Sequence, residues 1–302
     1  MAESQLSELV KLTEEILKMK KHLSFKRVLA IGLVIGLAAF LFGGCGGDTK
    51  TSDDSKNDKN GMTVLKIAAS TTPHSEILNS IKEQLAGEGV DLQVKEYTDY
   101  VIPNTAVESG EMDANFFQHQ PYLDDFNLKN GTHLVSVCAV HYEPMGIFPG
   151  KSKDLKNIPE GAQIAIPNDT TNEARALLML ADQGLITLPP DADLTTTPKD
   201  IVENPHKINF LELESAAIPR SLEDADFGII NGNYALSAEL DADKALAFES
   251  DEIAKKYANI IAVKEGSEDS DAVKKLVAAL ESDACKEFIN STYGGMVLPV
   301  SK

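Results

Sequence analysis

Short apolar runs alternate with amphipathic segments over most of this chain. The first run, residues 64–69, is followed by a polar turn and by Ile77, Ile81 and Leu85 at helical spacing. The next apolar run, residues 92–97, completes a strand–helix–strand unit, which favours a parallel sheet with polar groups at the carboxyl ends of its strands. Strands that keep alternating with helices predict an α/β fold.

The same pattern predicts further elements along the chain. Predicted strands cover residues 112–117, 133–140, 146–148, 162–167, 208–213, 227–230 and 259–263. Predicted helices cover residues 101–108, 120–128, 171–183, 216–222 and 272–280. The helix over 171–183 has the clearest signals, because Thr170 and Glu173 have capping-box spacing and Gly184 follows its end. Its expected buried face consists of Ala174, Leu177, Leu178 and Ala181.

The N-terminal part has a different pattern. Lysines and one arginine precede an apolar run over residues 28–42, which leads into Gly43, Gly44 and Cys45. This order resembles a bacterial lipoprotein signal, and the run is too short to span a membrane comfortably. The resemblance implies removal of residues 1–44 and lipid attachment at Cys45, although Phe42 stands where the motif usually has Leu. An uncleaved membrane anchor is the alternative, and both place the rest of the chain outside the cytoplasm.

Two further segments precede the folded part. Residues 1–18 form an amphipathic pattern in front of a signal that reads normally from Met19, so we expect a misassigned start, with a genuine amphipathic extension as the alternative. Residues 45–61 hold the lipidated cysteine and then Gly, Asp, Ser, Lys and Asn with almost no apolar residues. Such a segment cannot offset the entropy of folding, and we expect a flexible tether.

Composition and charge narrow the classes of function. A chain of 302 residues with 43% hydrophobic and 25% charged residues is long enough for two lobes with separate cores. Its formal net charge of -19 argues against nucleic acid or an anionic lipid surface as the main partner, and a small molecule suits it better. Cys138 and Cys285 lie outside any CxxC or Cys/His metal spacing. We expect buried thiols there, with a disulfide between them as the alternative.

Arginine is rare in this chain. It occurs only at Arg27, Arg175 and Arg220, and every other cation is lysine. Arg175 lies in the second turn of the predicted helix 171–183, whose N-terminus favours an anion, so a bidentate contact with a carboxylate is expected there. A surface ion pair is the alternative for Arg175 and the favoured interpretation for Arg220.

Aromatic and amide side chains gather in the stretch over residues 113–123. Strand alternation points Phe117 to one side and Phe116 to the other, so one ring can enter the core while its neighbour faces a cleft. His119 stands at the turn, and Tyr122 is placed to close an aromatic box with Phe117 and Tyr100 around an apolar or thioether side chain. An ordinary core cluster is the alternative.

Amides also stand at two strand boundaries, at Asn231 and Asn259, where they can bind an ammonium group or serve ordinary turns and caps. The histidines show no HxH or HExxH spacing, so we expect no metal site. The chain shows no GxSxG, SxxK or Cys/His signature, no P-loop and no GxGxxG, so we expect neither an enzyme nor a cofactor.

Several motifs, in order, resemble the methionine-binding lipoproteins that serve methionine ABC importers. The matching segments are Tyr-Val-Ile-Pro-Asn from Tyr100, Asp-Ala-Asn-Phe-Phe-Gln-His-Gln-Pro-Tyr-Leu from Asp113, Ile-Pro-Asn-Asp-Thr-Thr-Asn-Glu-Ala-Arg-Ala-Leu from Ile166 and Ile-Asn-Gly-Asn-Tyr from Ile230. The resemblance implies a two-lobed periplasmic-binding-protein fold, with one lobe over residues 62–146 and 260–302 and the other over 147–259. It also implies a lipid-anchored protein on the extracytoplasmic face of the cell membrane, which delivers L-methionine to an importer's permease and ATPase.

The resemblance assigns roles to seven residues. Arg175 would hold the ligand's α-carboxylate, with Asn231 and Asn259 helping to hold the ammonium and carboxylate ends. Four side chains from the other lobe, Tyr100, Phe117, His119 and Tyr122, would enclose the thioether. One departure leaves the ligand's side chain open: residues 141–144 are His-Tyr-Glu-Pro, where relatives commonly have a more apolar segment. A methionine-containing dipeptide or another amino acid is therefore an alternative ligand, and a metal-binding lipoprotein or a surface adhesin are alternative functions.

Overall fold

The computed structural model describes residues 61–300, and these residues form two β-sheets flanked by helices. The first sheet contains β1 (Thr63–Ser70), β2 (Val90–Tyr97), β3 (Ala114–His119), β4 (Leu134–Tyr142), β10 (Asn259–Lys264) and β11 (Leu298–Pro299). The second contains β5 (Gly146–Pro149), β6 (Gln163–Pro167), β7 (Asn209–Leu213), β8 (Phe227–Ile230) and β9 (Ala247–Phe248). We call each sheet with the helices packed on it a lobe. The expected signal, Cys45 and nearly all of the tether lie outside the described residues.

The described helices are numbered in chain order. They are α1 (Glu76–Ser80), α2 (Lys82–Gly87), α3 (Ile102–Glu108), α4 (Gln120–Asn130), α5 (Thr170–Asp182), α6 (Ile218–Ser221), α7 (Gly232–Ser237), α8 (Asp251–Ala254), α9 (Asp271–Leu280) and α10 (Asp283–Thr292). Within residues 61–300, no helix is both long and apolar enough to cross a membrane.

The first sheet has the strand order β11-β4-β10-β3-β1-β2. β1 pairs in parallel with β2 and β3, which confirms the predicted strand–helix–strand unit, and β10 enters antiparallel between β3 and β4. The helical segment between β1 and β2 buries Ile77, Ile81 and Leu85, as their spacing predicts, although Ile81 leaves helical geometry and divides the segment into α1 and α2. Cys138 and Cys285 are free thiols that pack in this core.

The second sheet has the order β7-β6-β8-β5-β9, with β6 parallel to β7 and β8. Helix α5 follows β6, and nearly all of its residues are buried rather than one face, because the helix lies between the sheet and the other lobe. Leu178 and Ala181 are only half-buried, whereas Ala176 and Leu180 belong to the core. The N-cap is Asp169, whose carboxylate accepts a hydrogen bond from the Asn172 amide, so the capping box expected from Thr170 is wrong.

The remaining differences concern short elements. The helix predicted over 216–222 is a 3₁₀ turn over Ser215–Ala217 followed by the single-turn helix α6. The sequence pattern predicts no helix at α7, α8 or α10. Helices α7 and α8 are only six and four residues long, and α7 starts in an Asn-Gly pair typical of turns.

The chain crosses between the lobes twice, through residues 143–145 and 249–258, which separate strands of different sheets. Strand pairing assigns Gly146 to the second sheet and Asn259 to the first, one residue away from the predicted lobe boundaries. The two crossings are joined by backbone hydrogen bonding, because the Glu249 amide donates to the Met145 carbonyl at 3.0 Å. The boundaries themselves stay predictions.

Candidate functional site

A cavity of about 20 Å³ lies between the two lobes, well below the volumes typical of sites that hold a small molecule. It is lined by Tyr100, Phe117, Gln118, His119, Tyr122, Glu143, Asn172, Arg175, Asn231, Gly232, Asn233 and Asn259. All seven residues singled out from the sequence are in this lining, and their contact with a ligand stays a prediction.

Each lobe supplies one side of the cavity from the ends of its strands. In the first lobe Phe117 and His119 lie among the last three residues of β3, and Tyr122 follows in the first turn of α4. In the second lobe Arg175 lies on α5 after β6, and Asn231 joins β8 to α7. Both lobes therefore turn strand ends and helix starts toward the cavity, where α/β sheets commonly bind ligands.

The aromatic residues form a continuous apolar wall. The ring centroids of Tyr100, Phe117 and Tyr122 lie 5.7 to 5.9 Å from one another in tilted or edge-on contacts. Phe116 points the other way and is fully buried in the first core, as strand alternation predicts. Because the three rings already touch one another, they present one side of the cavity and do not form the expected box around a side chain.

His119 acts at the start of helix α4 as well as in the cavity. Its Nδ1 accepts a hydrogen bond from the Tyr122 backbone amide at 3.1 Å, so the ring proton is assigned to Nε2. Nε2 lies 3.3 Å from Asn172 Oδ1 in the opposite lobe. Burial, assisted by the charge of Arg175, lowers the pKa of His119 to about 3. The ring is therefore neutral at physiological pH and presents a hydrogen-bond donor to the other lobe.

Arg175 is buried and paired, so a surface ion pair is not its environment. Its Nε donates to Glu249 at 2.7 Å, and its Nη2 donates to the same carboxylate at 2.5 Å and to the Glu143 carbonyl at 3.1 Å. The guanidinium lies 4.1 Å from the centre of the Tyr257 ring. Within the described residues Nη1 makes no hydrogen bond. This nitrogen of the guanidinium is therefore available to a second anion. Arg220, by contrast, is exposed on α6.

Two buried asparagines bring unpaired polar atoms to the cavity. Asn231 donates from Nδ2 to Asn172 Oδ1 at 2.9 Å, while its own Oδ1 has no hydrogen-bond partner among the described residues. Asn233 accepts from the Tyr100 hydroxyl at 2.5 Å, while its Nδ2 is without a partner in the same part of the chain. Buried polar groups are normally satisfied. These two asparagines thus offer the cavity one unpaired acceptor and one unpaired donor.

Two histidines and a carboxylate also meet beside the cavity, which the spacing of the histidines did not predict. Atoms of His74, His141 and Glu143 lie within 4.8 Å of one another, and such a donor set suits a transition metal. However, His74 Nε2 is bonded to Asn259 Oδ1 at 2.9 Å and His141 Nε2 to Glu143 Oε1 at 2.7 Å, so both nitrogens carry protons. Moving the His141 proton to Nδ1 would leave it without an acceptor in the described part of the chain. The geometry therefore favours a hydrogen-bond network over a metal site.

The profile of the NlpA lipoprotein family matches residues 65–301 of the chain. The chain belongs to this family. A relative with 40% identity over 249 residues, 81% of this chain and 90% of its own length, is the methionine-binding lipoprotein MetQ of Bacillus subtilis.

Two solved structures place this family member among substrate-binding proteins. A nutrient-binding protein of Burkholderia cenocepacia bound to methionine is 42% identical, with a TM-score of 0.75 over 78% of this chain and 100% of its own. The substrate-binding protein of a methionine transporter from Streptococcus pneumoniae is 35% identical, with a TM-score of 0.75 over 79% of this chain and 96% of its own. The α/β fold in two lobes and the absence of an enzymatic role, both expected from the sequence, agree with this membership.

Five lining residues of this family member are not among the seven site residues predicted from the sequence: Gln118, Glu143, Asn172, Gly232 and Asn233. All of them except Glu143 lie inside the motifs that carry the family resemblance. Their position within a motif could therefore have identified them as site residues. Glu143 belongs to the segment that departs from relatives.

Proposed function

We propose that this family member captures methionine outside the cytoplasm and delivers it to an ABC importer. The observation that carries the proposal is the lining of one interlobe cavity, where donors and acceptors for an amino-acid zwitterion lie beside an apolar wall. Polar groups that fix orientation within a largely apolar site are typical of small-ligand binding.

The carboxylate end of the ligand is assigned to the donors of the cavity. Arg175 contributes Nη1, and Asn233 contributes the Nδ2 that has no partner in the described chain. Asn259 uses Oδ1 toward His74, which leaves its amide nitrogen as a further donor. The ammonium end is assigned to the acceptor Oδ1 of Asn231. These assignments keep the roles expected from the family resemblance.

The ligand's side chain is assigned to the wall formed by Tyr100, Phe117 and Tyr122. A polarizable thioether makes favourable contacts with aromatic rings, which supports methionine over an aliphatic side chain of similar size. A methionine-containing dipeptide or another amino acid is the alternative, because Glu143 brings a carboxylate to the cavity where an apolar segment was expected.

A thermal-shift panel followed by calorimetry tests the ligand. Methionine is expected to raise the unfolding temperature more than leucine or glutamine at equal concentration, because a ligand stabilises the state that it binds. A larger shift with glycyl-methionine would favour the dipeptide alternative. Protection by zinc together with no response to any amino acid would reject the proposal in favour of a metal-binding lipoprotein. If none of these ligands raises the unfolding temperature, a surface adhesin is the remaining alternative.

We further propose that lipid attached to Cys45 holds the protein at the extracytoplasmic face of the membrane. The lipoprotein-type signal before Cys45 and the membership in a lipoprotein family support this. The full chain is expected to partition into detergent, whereas Cys45→Ser is expected to remain unprocessed and without lipid. A mature N-terminus other than residue 45, read by mass spectrometry, would contradict the assignment.

A further inference from the structure

The carboxylate of Glu143 lies at the cavity in the first crossing between the lobes. The residue is 6% exposed and lines the cavity together with Arg175 and the asparagines. His141 Nε2 donates to Glu143 Oε1 at 2.7 Å. His141 therefore holds one oxygen of this carboxylate in position.

The second lobe packs closely against the Glu143 side chain at Gly232. A Cβ atom at Gly232 would lie 2.6 Å from Glu143 Cβ and 2.8 Å from Glu143 Oε2, both closer than real contacts. Only glycine leaves room for Glu143 at the start of α7. Glu143 and Asn231, whose Oδ1 is the unpaired acceptor, line the same cavity.

The charge of Glu143 has no hydrogen-bonded cation within the described residues. His141 is fully buried and neutral, and His74, whose Nε2 lies 3.6 Å from Glu143 Oε1, is committed to Ser70 and Asn259. Arg175 reaches only the backbone carbonyl of Glu143, because its other bonds go to Glu249. A buried carboxylate without a cationic partner is unfavourable, because nothing offsets the loss of its hydration. A cationic group of the ligand would relieve that cost.

We propose that Glu143 binds the α-ammonium group of the ligand and that His141 is the positioning residue that holds this carboxylate. The inference rests on the proposed function and adds a requirement to it, namely a free, charged α-amino group. The carboxylate and Asn231 Oδ1 then supply acceptors to the cavity, and Arg175, Asn233 and Asn259 supply its donors. Amino acids are selected by this arrangement over hydroxy acids and N-acylated amino acids with the same side chain.

Calorimetry on the full chain in detergent tests this with methionine, its 2-hydroxy analogue (2-hydroxy-4-methylthiobutanoate) and N-acetylmethionine. The wild type is expected to prefer methionine by about 30-fold or more, the lower bound for truncating one side of a buried charge pair. Glu143→Gln is expected to lose at least about 30-fold in methionine affinity, with no loss for the hydroxy analogue. Glu223→Gln, an exposed change of the same kind in the second lobe, is the control and should bind like the wild type.

The positioning role of His141 has its own readout. His141→Phe is expected to reduce the ratio of methionine affinity to hydroxy-analogue affinity, whereas His141→Gln, which keeps a donor near Nε2, is expected to retain much of it. Gly232→Ala should reduce the same ratio by displacing Glu143, while Gly87→Ala, with nothing within 4 Å of the added atom, should not. An equal loss of stability and an unchanged ratio in both His141 variants would show a purely structural role.

The outcomes separate this inference from the proposed function. Absence of methionine binding to the wild type rejects both. Methionine binding that is unchanged in Glu143→Gln rejects the inference and leaves the function standing. If Glu143→Gln does not fold, the wild type still decides, because a hydroxy analogue that binds within about 3-fold of methionine would overturn the ammonium role.

Discussion

Arg175 lies between the cavity and both crossings of the chain. Its partner Glu249 starts the second crossing and also accepts a hydrogen bond from the Met145 amide in the first, at 2.9 Å. The Arg175 side chain is 4% exposed and that of Glu249 is 2% exposed, so the pair is desolvated. Removing one member leaves the other charge buried. Effects on stability and on binding must therefore be measured separately at this residue.

Arg175→Ala is expected to weaken methionine binding by about 2–5 kcal/mol and to destabilise the fold by about 3–5 kcal/mol, because Glu249 loses its partner. Arg175→Met combined with Glu249→Gln should recover much of the stability, since the amide oxygen can still accept from Met145, but not the affinity. Calorimetry and urea unfolding read the two effects. Arg220→Ala is the exposed control; unchanged affinity in Arg175→Ala would reject the carboxylate role.

Three buried histidines make stability depend on pH. Burial lowers the pKa of His74 to about 4, and of His119 and His141 to about 3, whereas the unfolded chain binds these protons near pH 6.5. The unfolded state therefore binds more protons below pH 6.5, and the free energy of unfolding falls as the pH drops from about 6.5 toward 4. Burial raises the pKa of Glu143 and of Asp169, and raises that of Glu173 to about 7, and these carboxyl groups contribute with the opposite sign.

Urea unfolding at pH 7.5, 6 and 5 measures this slope. His119→Gln should flatten it by removing one of the three contributions. A slope that is the same in His119→Gln and in the wild type would contradict the assignment of a neutral, buried ring at this position.

At the scale of elements, the start of helix α5 organises the second lobe's side of the cavity. Asp169 accepts from the Asn172 backbone amide at 3.1 Å and from its side-chain Nδ2 at 2.9 Å. Asn172 Oδ1 in turn faces His119 and accepts from Asn231. One N-cap thus both begins the helix and orients the amide that joins the two sides of the cavity.

Asp169→Ala is expected to cost about 1–2 kcal/mol of stability through loss of the cap, and to weaken binding because Asn172 is no longer oriented. Asp169→Asn keeps an acceptor and should behave nearly like the wild type. Thr170→Ala, at the position where the sequence places the cap, should change stability by less than about 0.5 kcal/mol. A larger effect of Thr170→Ala than of Asp169→Ala in urea unfolding would contradict the observed cap.

At the scale of the molecule, the lobes are held together across the cavity by tyrosine hydroxyls. Tyr100 donates to Asn233 at 2.5 Å, and Tyr234 donates to the Thr98 carbonyl at 3.1 Å. Each bond joins residues of different lobes. A ligand that contacts both lobes favours this closed arrangement by its differential affinity for it, as hinge closure requires.

Tyr100→Phe is expected to weaken methionine binding by about 0.5–1.5 kcal/mol, the net contribution of one hydrogen bond, through a less stable closed state. Small-angle scattering should show that the variant needs more methionine to reach the compact form. Tyr293→Phe is the matched control, because that hydroxyl donates to Glu76 inside the first lobe at 2.7 Å. Equal loss of affinity in both variants would speak against closure as the cause.

The local pattern of apolar and polar residues determined most of the secondary structure of this protein. The apolar runs and helical spacings predict most strands and all of the longer helices except α10, since period and flanking residues depend only on neighbours in the chain. The rarity of arginine and the ordered motifs also identify seven residues that line the cavity. They assign Asn231 and Arg175 to one lobe and the aromatic residues to the other.

Tertiary structure alone decided the partners of those residues. Arg175 pairs with Glu249, 74 positions away, and His74 meets Asn259 across 185 positions. Such pairs depend on how two sheets and two crossings come together, which no local period encodes. The same holds for the close contact of Glu143 with Gly232, which exists only because the first crossing lies against the start of α7. Sequence therefore determined the elements and the candidate side chains, and the packing of the lobes determined which charges they face.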